Sequence, residues 1–210
     1  MTTTPKTRTS GGNAMTVLSE DELGSAAQRD RRKRILDATI ALASKGGFEA
    51  VQMRAVAEKA DVALGTLYRY FPSKIHLLVS GLARELERGQ DRLDRTVIPG
   101  DTPHARVLFI LARITRAMQR DPHLTEAMTR AFMFADATAA TQVDTVGKLM
   151  DRMFTHAMHP DRDPSEEDRA IARVIADVWL SNLVAWVTHR ASATDVTTRL
   201  ELTTRLLLAR

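Results

Sequence analysis

The stretch QMRAVAEKADVALGTLYRYFPSK, Gln52 to Lys74, most constrains what this chain can become. A short apolar-periodic segment (Met53, Val56, Ala57, Ala60) breaks at Asp61, and a second (Leu64, Leu67, Tyr68, Phe71) stops at Pro72. A residue before proline is pushed out of the α region, so the second segment ends at Phe71. Two helices of about two turns joined by a turn of three to four residues form a helix-turn-helix, whose second helix fits a DNA major groove.

Charge follows this stretch. The formal net charge is +4, yet residues 28–76 alone carry ten Lys and Arg against five Asp and Glu, while residues 77–210 carry eighteen of each. The positive excess therefore gathers around the helix-turn-helix, as expected of a segment facing phosphates. Arg29, Arg32 and Lys33, at the start of the preceding helix, are placed for backbone contacts that set register.

The other segments are marked by caps. Residues 1–25 lack apolar periodicity and are expected to be a disordered tail. A helix from about Ala26 to Lys45 (Ile35, Thr39, Leu42, Ala43) ends at Gly46 and Gly47. Ser73 caps a helix with Ile75, Leu78, Leu82 and Leu86 at core spacing. Thr102-Pro103 and Asp121-Pro122 place proline at the first turn of two more helices. A further helix spans about 139–158, and Ser165 with Asp168, or Asp163 with Glu166, offers a capping box for one over about 166–189. A last helix starts at Thr194 and Asp195. No strand pattern appears, so the expected fold is all-α, with residues 26–74 a DNA-binding domain and 75–210 a ligand-binding and dimerisation domain.

The helix over 166–189 is apolar on two sides: Ile171, Val174, Ile175, Val178, Trp179, Leu183 and Trp186 on one, Leu180, Val184 and Val187 on the other. Such a helix must be covered twice, once by its own domain and once by a partner. Leu180, Val184, Val187, Leu200 and Leu207 are the expected dimer contacts. Met118, Met128, Phe132, Met133, Met150, Met153, Phe154, Trp179, Leu183 and Trp186 supply bulky, adaptable apolar surface suited to a ligand chamber.

No cysteine is present, which suits a reducing cytoplasm. The longest weakly charged run, Val174 to Thr188, contains Asp177 and Asn182 and is shorter than a membrane span. The chain carries no G-x-S-x-G, P-loop, dinucleotide loop or HExxH pattern, so no catalytic residue is expected and no cofactor. His156 and His159 lack the further ligands a metal site needs.

The glycine pair with Phe48, then RAVAEKADVALGTLYRYFPSK at 54–74, resembles the DNA-binding domain of the TetR family of bacterial transcriptional repressors; the run GTLYRYFPSK is its most specific part. Asp61 stands where a turn glycine is common, and Ala63 where a capping Ser or Thr is common. Asp tolerates left-handed backbone, and the missing cap costs about 1 kcal/mol, so the fold survives both. The resemblance implies that Leu64, Gly65, Thr66, Tyr68, Arg69 and Tyr70 face the groove, with Gln52 and Arg54 at the preceding helix start and Lys74 beside the backbone. It further implies a homodimer on a palindromic operator. RAMQRDPHLTEAMTRAFMFADA at 116–137 and ARVIADVWLSNLVAWVTHRASATDV at 172–196 are similar to actinobacterial members that repress cholesterol catabolism. That likeness implies release by a cholesterol-derived acyl-coenzyme A thioester. An efflux or fatty-acid repressor sensing a different apolar molecule is the alternative.

Overall fold

The computed structural model describes residues 20–209, with side chains from residue 26 onward. Nine α-helices follow one another among these residues: α1 (Glu20–Ala50), α2 (Met53–Lys59), α3 (Leu64–Tyr70), α4 (Lys74–Leu93), α5 (Pro103–Arg120), α6 (Pro122–Met133), α7 (Ala140–Met158), α8 (Glu166–Val187) and α9 (Ala193–Leu208). Most of the expected tail lies outside the described residues, and α1 begins at Glu20, inside its last part.

Local chemistry sets the helix ends. Gly46 and Gly47 interrupt α1, and Gly47 has φ +66°, a left-handed conformation that suits glycine. Asp61 takes the left-handed turn between α2 and α3 at φ 52°. Ala63 supplies no side-chain cap, and Phe71 leaves the helix in extended backbone. Ser73, Thr102 and Asp121 cap α4, α5 and α6. Of the two possible capping boxes before α8, Ser165 with Asp168 forms. Ser192 with Asp195 makes a second box, so α9 begins at Ala193, slightly ahead of the expected start.

Helix α4 is the axis of the molecule. Its residues from His76 to Ala83 are all buried, because α1, α6 and α7 pack around it. Gly81 permits this crowding, with Ile40 of α1 and Met128 of α6 both within 4 Å of where a Cβ would stand. Arg34 ties α1 to the α2–α3 turn by donating from Nη1 to the Ala60 carbonyl (2.7 Å). Arg106 of α5 donates to the Ala157 and Met158 carbonyls (2.8 and 2.7 Å), satisfying acceptors left open at the end of α7.

Helix α8 is longer than the Val174–Thr188 run implied, and by length and composition it could cross a membrane. Here it packs on α6, α7 and α9, yet only 28% of its most apolar window is buried within the chain. Leu180, Val184, Val187 and Leu207 are half-buried on the α8–α9 side. Leu200 departs from the expected dimer set: it is 3% exposed and belongs to the core. The residues α9 does offer outward are Leu202 and Leu206, at 44% and 73% exposure. Val174, expected on the inward stripe of α8, is also exposed.

Candidate nucleic-acid interface and ligand chamber

Helices α2 and α3 pack through Val56, Ala57, Ala60 and Leu67 against Ile35, Leu36 and Phe71, which leaves the opposite side of α3 to solvent. Gln52, Arg54, Gly65, Tyr68 and Arg69 are exposed, and Leu64, Thr66 and Tyr70 are half-buried along the same short helix. Eight residues of the expected reader set are thus at least partly open to solvent, and the ninth, Lys74, is engaged within the chain. Arg34 is engaged in the turn, and Lys74 lies against Phe48 with its ammonium 3.8 Å from the ring centre. Burial chiefly lowers the Lys74 pKa, with Glu49 opposing.

Gly65 is informative because a Cβ there would meet nothing within 4 Å. Glycine inside a helix costs about 1 kcal/mol relative to alanine, and no described residue crowds this position. The position is therefore open to an external surface, and a missing side chain lets backbone approach such a surface closely.

The second site lies between α4, α5, α6, α7 and α8. It is a cavity of about 460 Å³ whose walls include Leu82, Leu86, Met118, Met128, Phe132, Val146, Met150, Trp179, Leu180 and Leu183. A smaller space of about 200 Å³ shares Leu82, Leu86, Met118 and Met128 and adds Met153. Of the expected ligand residues, Met118, Met128, Phe132, Met150, Trp179 and Leu183 are brought together here, and Met153 lines only the smaller space. Three are not. Met133 turns outward at 52% exposure, because it ends α6 one residue past Phe132. Phe154 is fully buried core away from either space. Trp186 lines only a crevice of about 10 Å³ beside Thr115 and Val196.

The reading from sequence missed Thr129, Gly147 and the charged rim of Asp144, Lys148, Asp151, Arg173 and Asp177. Leu180, expected to face a partner, also touches the chamber. One signal was available: Val146 and Met150 stand four apart with Gly147 between them, a spacing that puts glycine beside an inward stripe. Lys148 and Asp151 also line a broad polar cleft of about 780 Å³ formed with Arg152, His156, His159, Arg162 and Arg169. Burial raises the Asp151 pKa, with Arg173 and Arg169 opposing. Two cleft residues meet Asp168, which accepts from Arg162 (2.7 Å) and Ser165 and has His159 Nε2 at 3.2 Å. The Arg162 guanidinium, helped by Ser165, holds the Asp168 carboxyl far below the usual carboxylate range. Among the described residues no group of three or more His, Cys, Asp or Glu side chains gathers as for a metal ion.

Helix α6 joins the two sites. One side carries Met128, Thr129 and Phe132 into the chamber. From another side, the Glu126 carboxylate accepts from the Phe48 N–H (2.9 Å), and Arg130 pairs with Glu49 (3.0 Å). Arg130 and Lys74 both stack on the Phe48 ring, at 4.3 and 3.8 Å. A Cβ on Gly47 would lie 2.8 Å from Glu126 Oε2, so a side chain there would push that carboxylate off the Phe48 N–H. Just past α6, the Thr138 carbonyl sits 2.8 Å from His76 Nε2, and His76 Nδ1 is 2.9 Å from the Ser73 hydroxyl at the reader's exit.

Comparison with known proteins agrees with this architecture. Residues 35–80 match the model of bacterial regulatory proteins of the tetR family, and residues 100–207 match the tetracyclin repressor-like C-terminal domain. The HTH-type transcriptional repressor KstR of Rhodococcus jostii is 68% identical over 99% of this chain and 96% of its own length. A TetR transcriptional regulator from Rhodococcus sp. RHA1 superposes with a TM-score of 0.77 at 31% identity, covering 87% of this chain and 97% of that one. Thermus thermophilus FadR, a TetR-family repressor solved with lauroyl-CoA, shares the fold at a TM-score of 0.66 and 21% identity, over 84% of this chain and 92% of its own. With both halves matched and a near full-length relative at that identity, the chain belongs to the TetR family of bacterial transcriptional regulators, not to an enzyme family.

Proposed function

We propose that this regulator is a cytoplasmic homodimer that represses sterol-catabolism genes from a palindromic operator and is released when a steroid acyl-CoA thioester enters its chamber. The observation that carries this reading is the double role of α6, which walls the chamber and grips Gly47, Phe48 and Glu49 behind the reader. A ligand that displaces α6 therefore displaces the reader's base. The sterol assignment follows from the likeness to the KstR repressors, which runs through the regulatory half as well as the reader.

A cavity of about 460 Å³ walled by methionine, leucine and aromatic side chains suits an apolar molecule. A multiply charged CoA head could not shed its water there. The polar cleft that shares Lys148 and Asp151 with the chamber offers Arg152, Arg162 and Arg169, and it is where such a head would lie. Those cations already pair with Asp94, Asp168 and Glu166, but most of these pairs are exposed and weak enough for phosphate to compete. The α8–α9 face, with Leu180, Val184, Val187, Leu202, Leu206 and Leu207, supplies an apolar surface for the second protomer. Two readers on that dimer meet successive half-sites, for which the operator must be two-fold symmetric.

The test is displacement of the full-length protein from promoter DNA of sterol-degradation genes by a panel of CoA thioesters. Steroid-acid thioesters should release it at concentrations where straight-chain acyl-CoA does not. Equal release by straight-chain thioesters would move the assignment to a fatty-acid regulator.

A further inference from the structure

Thr129 is the anomaly of the chamber wall. It lies in the middle of α6, is 4% exposed, lines the cavity, and its hydroxyl has no hydrogen-bond partner. Threonines inside helices usually donate to the carbonyl four residues back, as Thr39, Thr155 and Thr204 do here at 2.8–3.0 Å. The neighbouring Thr125 is satisfied by the Met118 carbonyl at 2.8 Å. No other side chain lining either apolar space has a buried polar atom without a partner. Leaving a buried hydroxyl unpaired is costly, and valine would fill the same volume without that cost.

We infer that Thr129 is a specificity residue of the chamber, holding by a hydrogen bond one ketone or hydroxyl oxygen carried by an otherwise apolar ligand. The assignment rests on the effector reading above and adds the chemistry of the ligand's buried end. Thr129 stands on the α6 wall, whereas Lys148 and Asp151, where the chamber meets the polar cleft, stand on α7. A steroid thioester with its CoA in the cleft directs its ring system away from that mouth and toward α6. The oxygen that Thr129 meets is therefore on the rings, remote from the thioester. A hydroxyl serves either ligand form, donating to a ketone or accepting from an alcohol. The contact is made on α6 itself, so recognition and displacement of the reader's base act on one element.

The experiment uses the full-length dimer and two CoA thioesters of steroid side-chain acids, identical except that one carries a ring ketone and the other lacks it. Quenching of Trp179, which lines the chamber, reports binding in wild type, Thr129→Val and Thr129→Ser. Wild type and Thr129→Ser should prefer the oxygenated thioester roughly tenfold, the factor one net hydrogen bond supplies. Thr129→Val should lose that preference, bind the deoxy thioester at least as well as wild type, and melt no lower. An oxygenated-to-deoxy ratio near one in wild type, or an unchanged ratio in Thr129→Val, overturns the hydrogen bond while leaving the effector reading intact. Binding of neither thioester to wild type overturns the effector reading and this assignment with it. Should Thr129→Val fail to fold, the wild-type and Thr129→Ser ratios still decide.

Discussion

The reader and the chamber differ in where their partners lie. On α3 the informative residues touch little inside the chain: Gly65 faces open space, and Tyr68 and Arg69 are exposed. In the chamber the informative residues come from five helices, and most are nearly buried. The reader is a local structure waiting for an external surface. The chamber exists only once α4, α5, α6, α7 and α8 have packed. Substitutions on α3 should therefore change DNA affinity at little cost in stability, whereas substitutions around the chamber should change ligand response, stability or both.

The largest expected effect is at Gly65. On the proposed dimer, Gly65→Leu places a side chain on the exposed reader helix in both half-sites. Operator affinity should fall 100-fold or more, since each lost or obstructed contact costs about 1–3 kcal/mol. The melting temperature should stay level or rise, because glycine is a poor helix former. Fluorescence anisotropy with calorimetry checks both, and a parallel loss of stability would break the contrast.

Next is Asp168→Asn, at the partner of the cleft residue Arg162. It removes the partner of Arg162 and weakens the α8 cap, so unfolding free energy should drop by about 2–3 kcal/mol. The folded Asp168 pKa is lowered, so its stabilisation is complete above the ordinary carboxylate value near pH 4 and is lost as pH falls below it. Denaturation should show wild type losing stability more steeply than Asp168→Asn between about pH 4 and pH 2. Operator affinity of the folded variant at neutral pH should be unchanged.

A smaller effect is expected from Gly147→Leu. No described residue stands within 4 Å of its Cβ position, and the added side chain fills chamber space. Thioester affinity should fall about tenfold, a few methylenes' worth of apolar contact, while operator affinity holds. Titration calorimetry on the free dimer measures it.

These contrasts also account for what the sequence made legible. The left-handed Asp61, the exit at Phe71 and the caps at Ser73, Thr102, Asp121 and Ser165 follow from residues within a few positions, and all stand where periodicity and capping put them. The chamber wall was only partly legible, because helical spacing says which side of a helix is apolar and not what that side meets. Phe132 and Met133 are adjacent and similar, yet one lines the cavity and the other ends α6 in solvent. Leu200 and Leu206 share the apolar pattern of α9, yet one packs inside and the other is 73% exposed. The contact that joins the two regions, Phe48 N–H to Glu126, spans 78 residues and leaves no local signal.

The smallest expected effect is at that contact. Glu126→Ala should leave operator and thioester binding within about twofold when each is measured alone. It should weaken release by roughly fivefold, about 1 kcal/mol of a coupling that typically totals 1–3 kcal/mol. Anisotropy titrations with and without thioester check this. Unchanged release would remove the clasp from the coupling path and leave the His76–Thr138 contact to carry it.

Coupling through α6 is most directly tested by reciprocity. Two equilibria sharing one element must shift each other by the same factor. Steroid-acid CoA thioester is titrated into the full-length dimer, free and saturated with operator DNA, and operator affinity is measured with and without saturating thioester. The predicted result is that operator-bound dimer binds thioester more weakly, by the same factor, on the order of 100, by which thioester weakens operator binding. Equal thioester affinity for free and operator-bound dimer would contradict the account.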